Sequence, residues 1–234
     1  MHILDVIRGH LAGKVSGNTL IRAVMDTEWH IETTFGQGEF QVAEHLTPEG
    51  RWSELYSSRE RCPAQTTTTV AGAWYFRTLF WQVVGVTLEK DHPEAIHWRK
   101  DQMDLLRRWG KAVHIERVLL GTAGDDVFAQ DHLFRSFDGW SVVTTLGAGA
   151  QMVLAPDDQG RHLAAICTAP DCLEAFVERY VRKLGVPFGT AELSSATLYT
   201  TLRAMPIDGI VFNPLGPIPA KAVKPAFAEM MKPA

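Results

Sequence analysis

Two stretches of the chain repeat one another, and their shared pattern decides the predicted fold. Trp29–Gly38 reads WHIETTFGQG, and Trp140–Gly149 reads WSVVTTLGAG. Each begins with Trp, has a Thr pair in the middle and ends with Gly-x-Gly. Further along, Leu46–Arg51 (LTPEGR) is matched by Leu154–Arg161 (LAPDDQGR). Matches that recur in the same order along the chain predict two copies of one structural unit.

The two copies share a predicted order of strands. β-Branched and aromatic residues at the start of each copy favour strands, and Gly-x-Gly is typical of a hairpin turn because glycine tolerates positive φ. The predicted strands are Trp29–Phe35, Phe40–Leu46 and Arg51–Tyr56, then Trp140–Leu146, Gln151–Ala155 and Arg161–Cys167. Helices are expected directly afterwards, since Ser57–Glu60 and Thr168–Asp171 both have the spacing of a capping box.

The remaining elements are predicted from hydrophobic periodicity. Apolar residues at three- and four-residue steps indicate a helix over Leu173–Leu184, which Gly185 ends. Further helices are expected over Leu4–Leu11, Asn18–Glu28 (capped by Asn18), Pro93–Trp109, Leu193–Arg203 and Pro219–Met231. Buried strands are expected over Trp81–Leu88 and Ile207–Phe212, and Val113–Phe137 is interpreted as the entry to the second copy.

These elements predict an α+β protein made of two tandem related modules. Each module has a small, mainly antiparallel sheet with flanking helices. The first module spans 1–111 and includes the N-terminal helices, and the second spans 112–234. Fused copies keep complementary faces, so the modules are expected to pack as a pseudo-symmetric pair. Trp29 and Trp140 are expected in equivalent core positions.

Composition indicates an ordinary folded protein without nucleic-acid or membrane partners. Hydrophobic residues make up 46% of the 234 residues, which supplies enough apolar material for a core. The net charge of −4 argues against a broad basic surface for phosphate backbones. The start of the chain has no signal-peptide pattern, and no apolar run has the length of a membrane helix. A cytoplasmic protein is therefore expected.

The cysteines and histidines indicate packing and solvation. Cys62 and Cys172 occupy the same repeat position, which favours a buried site for a small apolar side chain. The spacing of Cys167 and Cys172 is wider than that of a zinc knuckle, and His92 and His97 are not spaced to share one helix face. The sequence predicts free thiols, no metal site and no cofactor.

Motifs that carry catalysis are missing from the sequence. Gly36–Gly38 and Gly147–Gly149 lack the third glycine of a dinucleotide fingerprint and the Gly-Lys-Ser/Thr of a phosphate loop. There is no Gly-x-Ser-x-Gly, and helix capping explains Ser194 and Ser195. The sequence therefore favours a non-enzymatic protein and predicts no catalytic residue.

An aromatic stretch in the first copy has no counterpart in the second. It begins at Trp74, Tyr75 and Phe76 and continues at Phe80 and Trp81. One interpretation is a larger core in the first copy. The other is an apolar surface for another chain, because aromatic residues are enriched at the centres of interfaces. Trp74 and Phe76 are therefore candidate protein contacts.

The loop after the last buried strand is a further candidate contact. Proline fixes φ and has no N–H, so Asn213 and Pro214 end the strand and stiffen the loop. A stiff loop loses little entropy on binding, which makes Leu215 and Ile218 suitable contacts. The alternative interpretation is a rigid connection to the final helix.

Short motifs in the second copy carry a family resemblance. A strand, a polar turn, a second strand ending in Thr and a helix follow each other over Gln151–Gly160, His162–Thr168 and Cys172–Phe176. Ile207–Pro214 then supplies an Asp-Gly-hydrophobic-Asn-Pro element. With these motifs the second copy resembles the N-terminal domain of SseB-like proteins. The first copy extends the resemblance in a weaker form, because Asn-Pro is lacking after Val83–Val86.

The resemblance implies a bacterial protein-interaction module in a family that occurs alongside secretion or stress genes. It supplies no catalytic residue. Two alternative functions stay open: an immunity-type inhibitor of a toxin, which a compact acidic chain suits, and a hydrolase whose site is assembled only in the fold. The expected partner is another protein, and the sequence is compatible with a homo-oligomer.

Overall fold

The computed structural model describes residues 2–36, 39–78, 83–121, 134–147, 149, 151–157 and 159–233. The predictions for Phe80, Trp81 and residues 122–133 of the entry segment lie outside these residues. The chain divides into two units, Met1–Lys111 and Ala112–Ala234. They are called the N-terminal unit and the C-terminal unit below.

The N-terminal unit combines helices with one sheet. Its helices are α1 (Ile3–Leu11), α2 (Gly17–Asp26), α3 (Gly72–Thr78) and α4 (Lys100–Leu120), the last of which continues into the C-terminal unit. Its strands are β1 (Glu28–Gly36), β2 (Glu39–Val42), β3 (His45–Thr47), β4 (Gly50–Tyr56), β5 (Thr67–Ala71), β6 (Val83–Leu88) and β7 (Ile96–Trp98).

Strand β4 organises the sheet of the N-terminal unit. It pairs antiparallel with β1 and β3 and parallel with β6. The sheet continues from β1 to β2 and β5 and from β6 to β7, with every further pair antiparallel. The carboxyl ends of β4 and β6 therefore lie side by side, at the point where the chain leaves both strands.

The C-terminal unit has a similar mixture of elements. Its strands are β8 (Trp140–Thr145), β9 (Leu154–Pro156), β10 (His162–Ile166), β11 (Phe188–Leu193), β12 (Gly209–Phe212) and β13 (Lys221–Val223). Its helices are α5 (Pro170–Arg179), α6 (Ser195–Ala204) and the 3-10 helices Val181–Leu184 and Pro225–Met231.

Two sheets form in the C-terminal unit. Strand β11 pairs antiparallel with β8, while β9 and β13 flank the parallel pair of β10 and β12. Bridges from Ser141 to Cys167 and from Thr144 to Met152 connect β8 to the second sheet. In both units, helices accompany open sheets in which a single described strand pair is parallel. The prediction of an α+β fold is confirmed.

The two repeat tryptophans are both core residues. Trp29 and Trp140 have no exposed surface. The Trp29 indole N–H donates to the Val24 carbonyl over 2.9 Å. The Trp140 indole N–H donates to Ser195 Oγ over 2.7 Å, and that hydroxyl faces the carbonyl oxygen of Phe134. Each indole nitrogen is thus satisfied inside its own unit, as a buried Trp requires.

Neither predicted capping box forms. No helix follows Ser57; its backbone N–H donates instead to Glu89 Oε1. Helix α5 does follow Thr168, but its N-cap is Ala169 and the Thr168 hydroxyl donates to Glu116. Each prediction is wrong because a carboxylate distant in sequence takes the hydrogen bond. Glu89 accepts from the Ser57 N–H, and Glu116 accepts from the Thr168 hydroxyl.

Several helix boundaries also differ from prediction. The segment Pro93–Trp109 is not one helix, because Ile96–Trp98 pairs with β6 and α4 begins only at Lys100. Pro219–Met231 likewise contains strand β13 before its 3-10 helix. Helix α5 ends at Arg179, short of Leu184, and Ser16 rather than Asn18 caps α2. Ser194 caps α6, as its place before a helix predicts.

Helix length and hydropathy bear on the membrane prediction. Within the part of the chain that the structure describes, no helix combines the length and apolar character needed to cross a bilayer.

Candidate functional site

The six candidate contact residues lie in different environments. Phe76 is fully buried, so it is a core residue, whereas Trp74 on the same helix is 48% exposed. Asn213 and Pro214 are buried, Leu215 is 47% exposed and Ile218 is half-buried. Of these side chains, Trp74 and Leu215 present the largest apolar surface to solvent.

Asn213 holds the carboxyl ends of two parallel strands together. It follows β12 directly and has a left-handed backbone with φ of 53°. Its Oδ1 accepts a 2.8 Å hydrogen bond from the backbone N–H of Thr168, which comes just after β10. Asn tolerates this backbone better than most residues. The side chain is therefore fixed by its role in the fold.

A buried carboxylate completes this polar network. The Thr168 hydroxyl donates to Glu116 Oε1 over 2.5 Å, and both residues are buried. Cys172 Sγ lies 3.7 Å from the same oxygen. Buried polar groups that hydrogen-bond to one another favour one arrangement of the core. The same hydrogen bonds explain why the Glu116 carboxylate is tolerated inside the C-terminal unit.

Glu89 makes the corresponding contact in the N-terminal unit. It follows β6, has φ of 55°, and its Oε1 accepts a 2.6 Å hydrogen bond from the backbone N–H of Ser57, just after β4. Its Oε2 accepts from Arg61 Nε over 2.5 Å, and the carboxylate is fully buried. Glu89 thus stands where Asn213 stands in the C-terminal unit, although the residue types differ.

Arg61 also binds Glu94 and so links it to Glu89, and Arg8 is a second partner of Glu94. Arg8 Nε donates to Glu94 Oε1 over 2.9 Å, and Arg61 Nη2 donates to Glu94 Oε2 over 2.8 Å. These hydrogen bonds, that from Arg8 foremost, lower the pKa of Glu94 from 4.5 to about 2.

This depressed pKa makes the contribution of Glu94 to stability depend on pH. A carboxyl whose pKa is lower in the folded state stabilises the fold above its unfolded pKa and loses that effect as the pH falls through the folded value. We expect Glu94→Gln to lower the free energy of unfolding above pH 4.5 and to approach the wild type near pH 2. Urea unfolding across this range measures the difference between the two proteins, and a constant difference would contradict the prediction.

A groove that the sequence did not predict lies in the C-terminal unit. It has a volume of about 630 Å³, within the range of ligand and peptide sites. Six residues make its walls mainly apolar: Val142, Met152, Leu154, Ala191, Leu193 and Met205. Thr144 and His162 add polar groups at its margin. We call this feature the β8–β11 groove.

The groove continues the core of the C-terminal unit along one face of β8. Side chains two apart share a face of a strand, and exposure rises along this face from Trp140 (0%) through Val142 (2%) to Leu146 (59%). Leu184 and Val186, each 42% exposed, add apolar surface just before β11. Large exposed apolar side chains are typical of interaction surfaces, and these three directly follow β8 or precede β11, the two strands that line the groove.

Charged side chains cluster around Glu54 on the N-terminal sheet without forming a catalytic hydrogen-bond pair of His and carboxylate. His45 Nε2 lies 3.7 Å from Glu32 and 3.6 Å from Glu54, beyond hydrogen-bonding distance. Lys90 Nζ donates to Glu54 over 2.5 Å, and the Tyr56 hydroxyl donates to the same carboxylate. Burial, together with Glu54, raises the pKa of Tyr56. The positive charge of Lys90 offsets the repulsion between Glu32 and Glu54, whose carboxylates lie on the neighbouring strands β1 and β4.

Within the described ranges, no three His, Cys, Asp or Glu side chains are grouped as a metal ion would require. The three cysteines are buried and form no disulfide with one another, as predicted for packing sites.

Comparisons of the chain with models of protein families, with curated proteins and with solved structures give no match.

Proposed function

We propose that this chain is a non-enzymatic bacterial protein-interaction module that binds another protein through the β8–β11 groove. The observation that carries the proposal is the open, mainly apolar groove of the C-terminal unit, together with the exposed Leu146 directly after β8. Covering a leucine side chain contributes about 1.5–3 kcal/mol. A partner that covers this face therefore gains affinity from a surface already ordered by β8 and β11.

The internal repeat supports a common origin for the two units, and we infer that they are copies of one SseB-like module. The Gly72 N–H donates to the Thr27 carbonyl, and the Ser195 N–H donates to the Phe137 carbonyl, each at the start of the helix after an edge strand. The paired roles of Glu89 and Asn213 agree with the same interpretation. A bacterial cytoplasmic setting, with a link to secretion or stress, is part of the proposal.

Replacing Leu146 with Ser tests the proposed surface. We expect Leu146→Ser to weaken binding of the captured partner about tenfold, because the loss of one buried leucine costs at least about 1.4 kcal/mol. The partner is isolated from the native host with the tagged wild-type chain, and its affinity is then measured by titration calorimetry against each purified variant.

Leu46→Ser is the matched control for this measurement. Leu46 is 84% exposed in the N-terminal unit and does not line the groove, so its replacement removes a comparable surface leucine. Both variants should keep the wild-type melting temperature. If Leu146→Ser binds the partner as tightly as the wild type does, the groove is not the binding surface. If Leu215→Ser alone weakens partner binding, the contact lies in the loop after β12.

A further inference from the structure

Methionine side chains contribute to the apolar walls of the β8–β11 groove. Met152 and Met205 both line it. Met205 is half-buried, and Met152 is 8% exposed. Three other methionines are at most 1% exposed: Met25, Met103 and Met231. Met205 is therefore the groove methionine that is more open to solvent.

The backbone of Met205 is fixed on both sides. Met205 directly follows α6, and its N–H donates to the Leu202 carbonyl over 3.3 Å. Its own carbonyl accepts from the Ile207 N–H over 3.0 Å. Pro206, between them, has a restricted φ. A chemical change at the Met205 side chain therefore alters the wall of the groove without requiring α6 to unfold.

The groove offers an oxidised methionine few hydrogen-bond donors. Thr201 lines the groove one turn before Met205, and helix positions four apart share a face. The Thr201 hydroxyl already donates to the Thr197 carbonyl over 2.9 Å. Most of the remaining wall is apolar, so a sulfoxide oxygen at Met205 depends on water for its hydrogen bonds. An apolar surface that covers the groove removes this water, which is unfavourable for an unpaired polar group.

We propose that Met205 is an oxidation site, and that its conversion to methionine sulfoxide by hydrogen peroxide lowers the affinity of the groove for apolar surfaces. The thioether sulfur attacks one peroxide oxygen, an S–O bond forms as the O–O bond breaks, and the second oxygen leaves as water after proton transfer. Sulfur loses the two electrons that the peroxide gains. The thioether is apolar and adapts to many shapes, whereas the sulfoxide is polar. This inference rests on the proposed function, since the apolar surface of the partner is what the sulfoxide disfavours.

Peptide mapping by mass spectrometry tests whether Met205 is the reactive site. The purified protein is exposed briefly to hydrogen peroxide and then digested. We expect Met205 to be oxidised at least about tenfold faster than Met25, Met103 and Met231, which react only when their surroundings open. The rate at Met152 should be intermediate. Equal rates at Met205 and the three buried methionines would overturn the proposal.

Dye binding tests whether this oxidation changes the groove. The probe is 1-anilinonaphthalene-8-sulfonate, which binds exposed apolar surface. We expect peroxide to weaken its binding to the wild type about tenfold, because an unpaired polar group is covered. The melting temperature should stay unchanged, and methionine sulfoxide reductases should restore the affinity. Met205→Leu keeps an apolar side chain of similar volume, so its dye binding should be insensitive to peroxide.

Met230→Leu is the matched control for this measurement. Met230 is half-buried like Met205 but does not line the groove, so its replacement should leave the response to peroxide intact. Met205→Gln introduces a polar side chain of similar length and should have the affinity of the oxidised wild type before peroxide is added. If Met205→Leu does not fold, Met205→Gln and the peptide map decide.

Two further results would overturn the oxidation site as a switch. These are dye binding that peroxide leaves unchanged in the wild type, and a folded Met205→Leu that responds to peroxide as the wild type does. If partner binding still depends on Leu146 in either case, the proposed function survives. If Leu146→Ser leaves partner binding unchanged while Met205 controls dye binding, the groove is sensitive to oxidation and the proposed function fails by its own test.

Discussion

Gly72→Ala is expected to destabilise the N-terminal unit by about 3 kcal/mol, the upper end of the cost of overpacking a core. A Cβ at this position would lie 2.1 Å from the Val24 carbonyl oxygen and 3.1 Å from Trp29 Nε1. The first of these atoms is backbone, so it cannot rotate away as a flexible side chain would. The added methyl group therefore also disturbs the hydrogen bond between Trp29 and Val24.

Urea unfolding followed by tryptophan fluorescence measures this effect. Gly17→Ala is the matched control, because a Cβ at Gly17 meets nothing within 4 Å at the start of α2. Its free energy of unfolding should equal or slightly exceed that of the wild type, since alanine favours helices more than glycine does. Wild-type stability in Gly72→Ala would show that α2 and the start of α3 separate easily, contrary to the close approach of Gly72 to Val24.

Glu89→Ala is the second substitution with a large expected effect, a loss of about 3–5 kcal/mol, as is usual when one partner of a buried ion pair is removed. The Ser57 N–H and the Arg61 guanidinium would both lose an acceptor. The unfolding free energy from urea titration at neutral pH measures the loss.

Glu89→Asn separates the two contacts of this side chain. Asparagine can accept from the Ser57 N–H, as Asn213 does from Thr168, and it tolerates the positive φ. We expect Glu89→Asn to be less destabilised than Glu89→Ala, because only the pairing with Arg61 is lost. Equal losses in the two variants would mean that the backbone contact to Ser57 contributes nothing measurable.

Local patterns predicted the central strands but missed the edge strands β5, β7, β11 and β13. The β-branched stretches after Trp29 and Trp140 form β1 and β8. In contrast, β5 and β11 contain runs of Thr, Ala and Gly with little alternation, since an edge strand is partly exposed on both faces. Strands β7 and β13 are three residues long, too short to show a period, and tertiary pairing determines them.

The candidate site was harder to predict, because its parts meet only in the fold. Asn213 and Pro214 were recognised as a strand end, but burial makes them structural residues. The first copy lacks the Asn-Pro of the second, yet Glu89 makes the same backbone contact with a different side chain. The groove is lined by β8, β11 and the end of α6, three elements that no local motif brings together.

The burial of all three cysteines gives each unit its own chemical reporter. Cys62 lies in the N-terminal unit and Cys167 and Cys172 lie in the C-terminal unit, all of them buried. Burial raises the pKa of the Cys167 thiol to about 12, and a thiol reacts as its thiolate. Alkylating reagents should therefore modify each site only when its surroundings open, so that labelling rates followed by mass spectrometry record the opening of the two units separately in a single native sample.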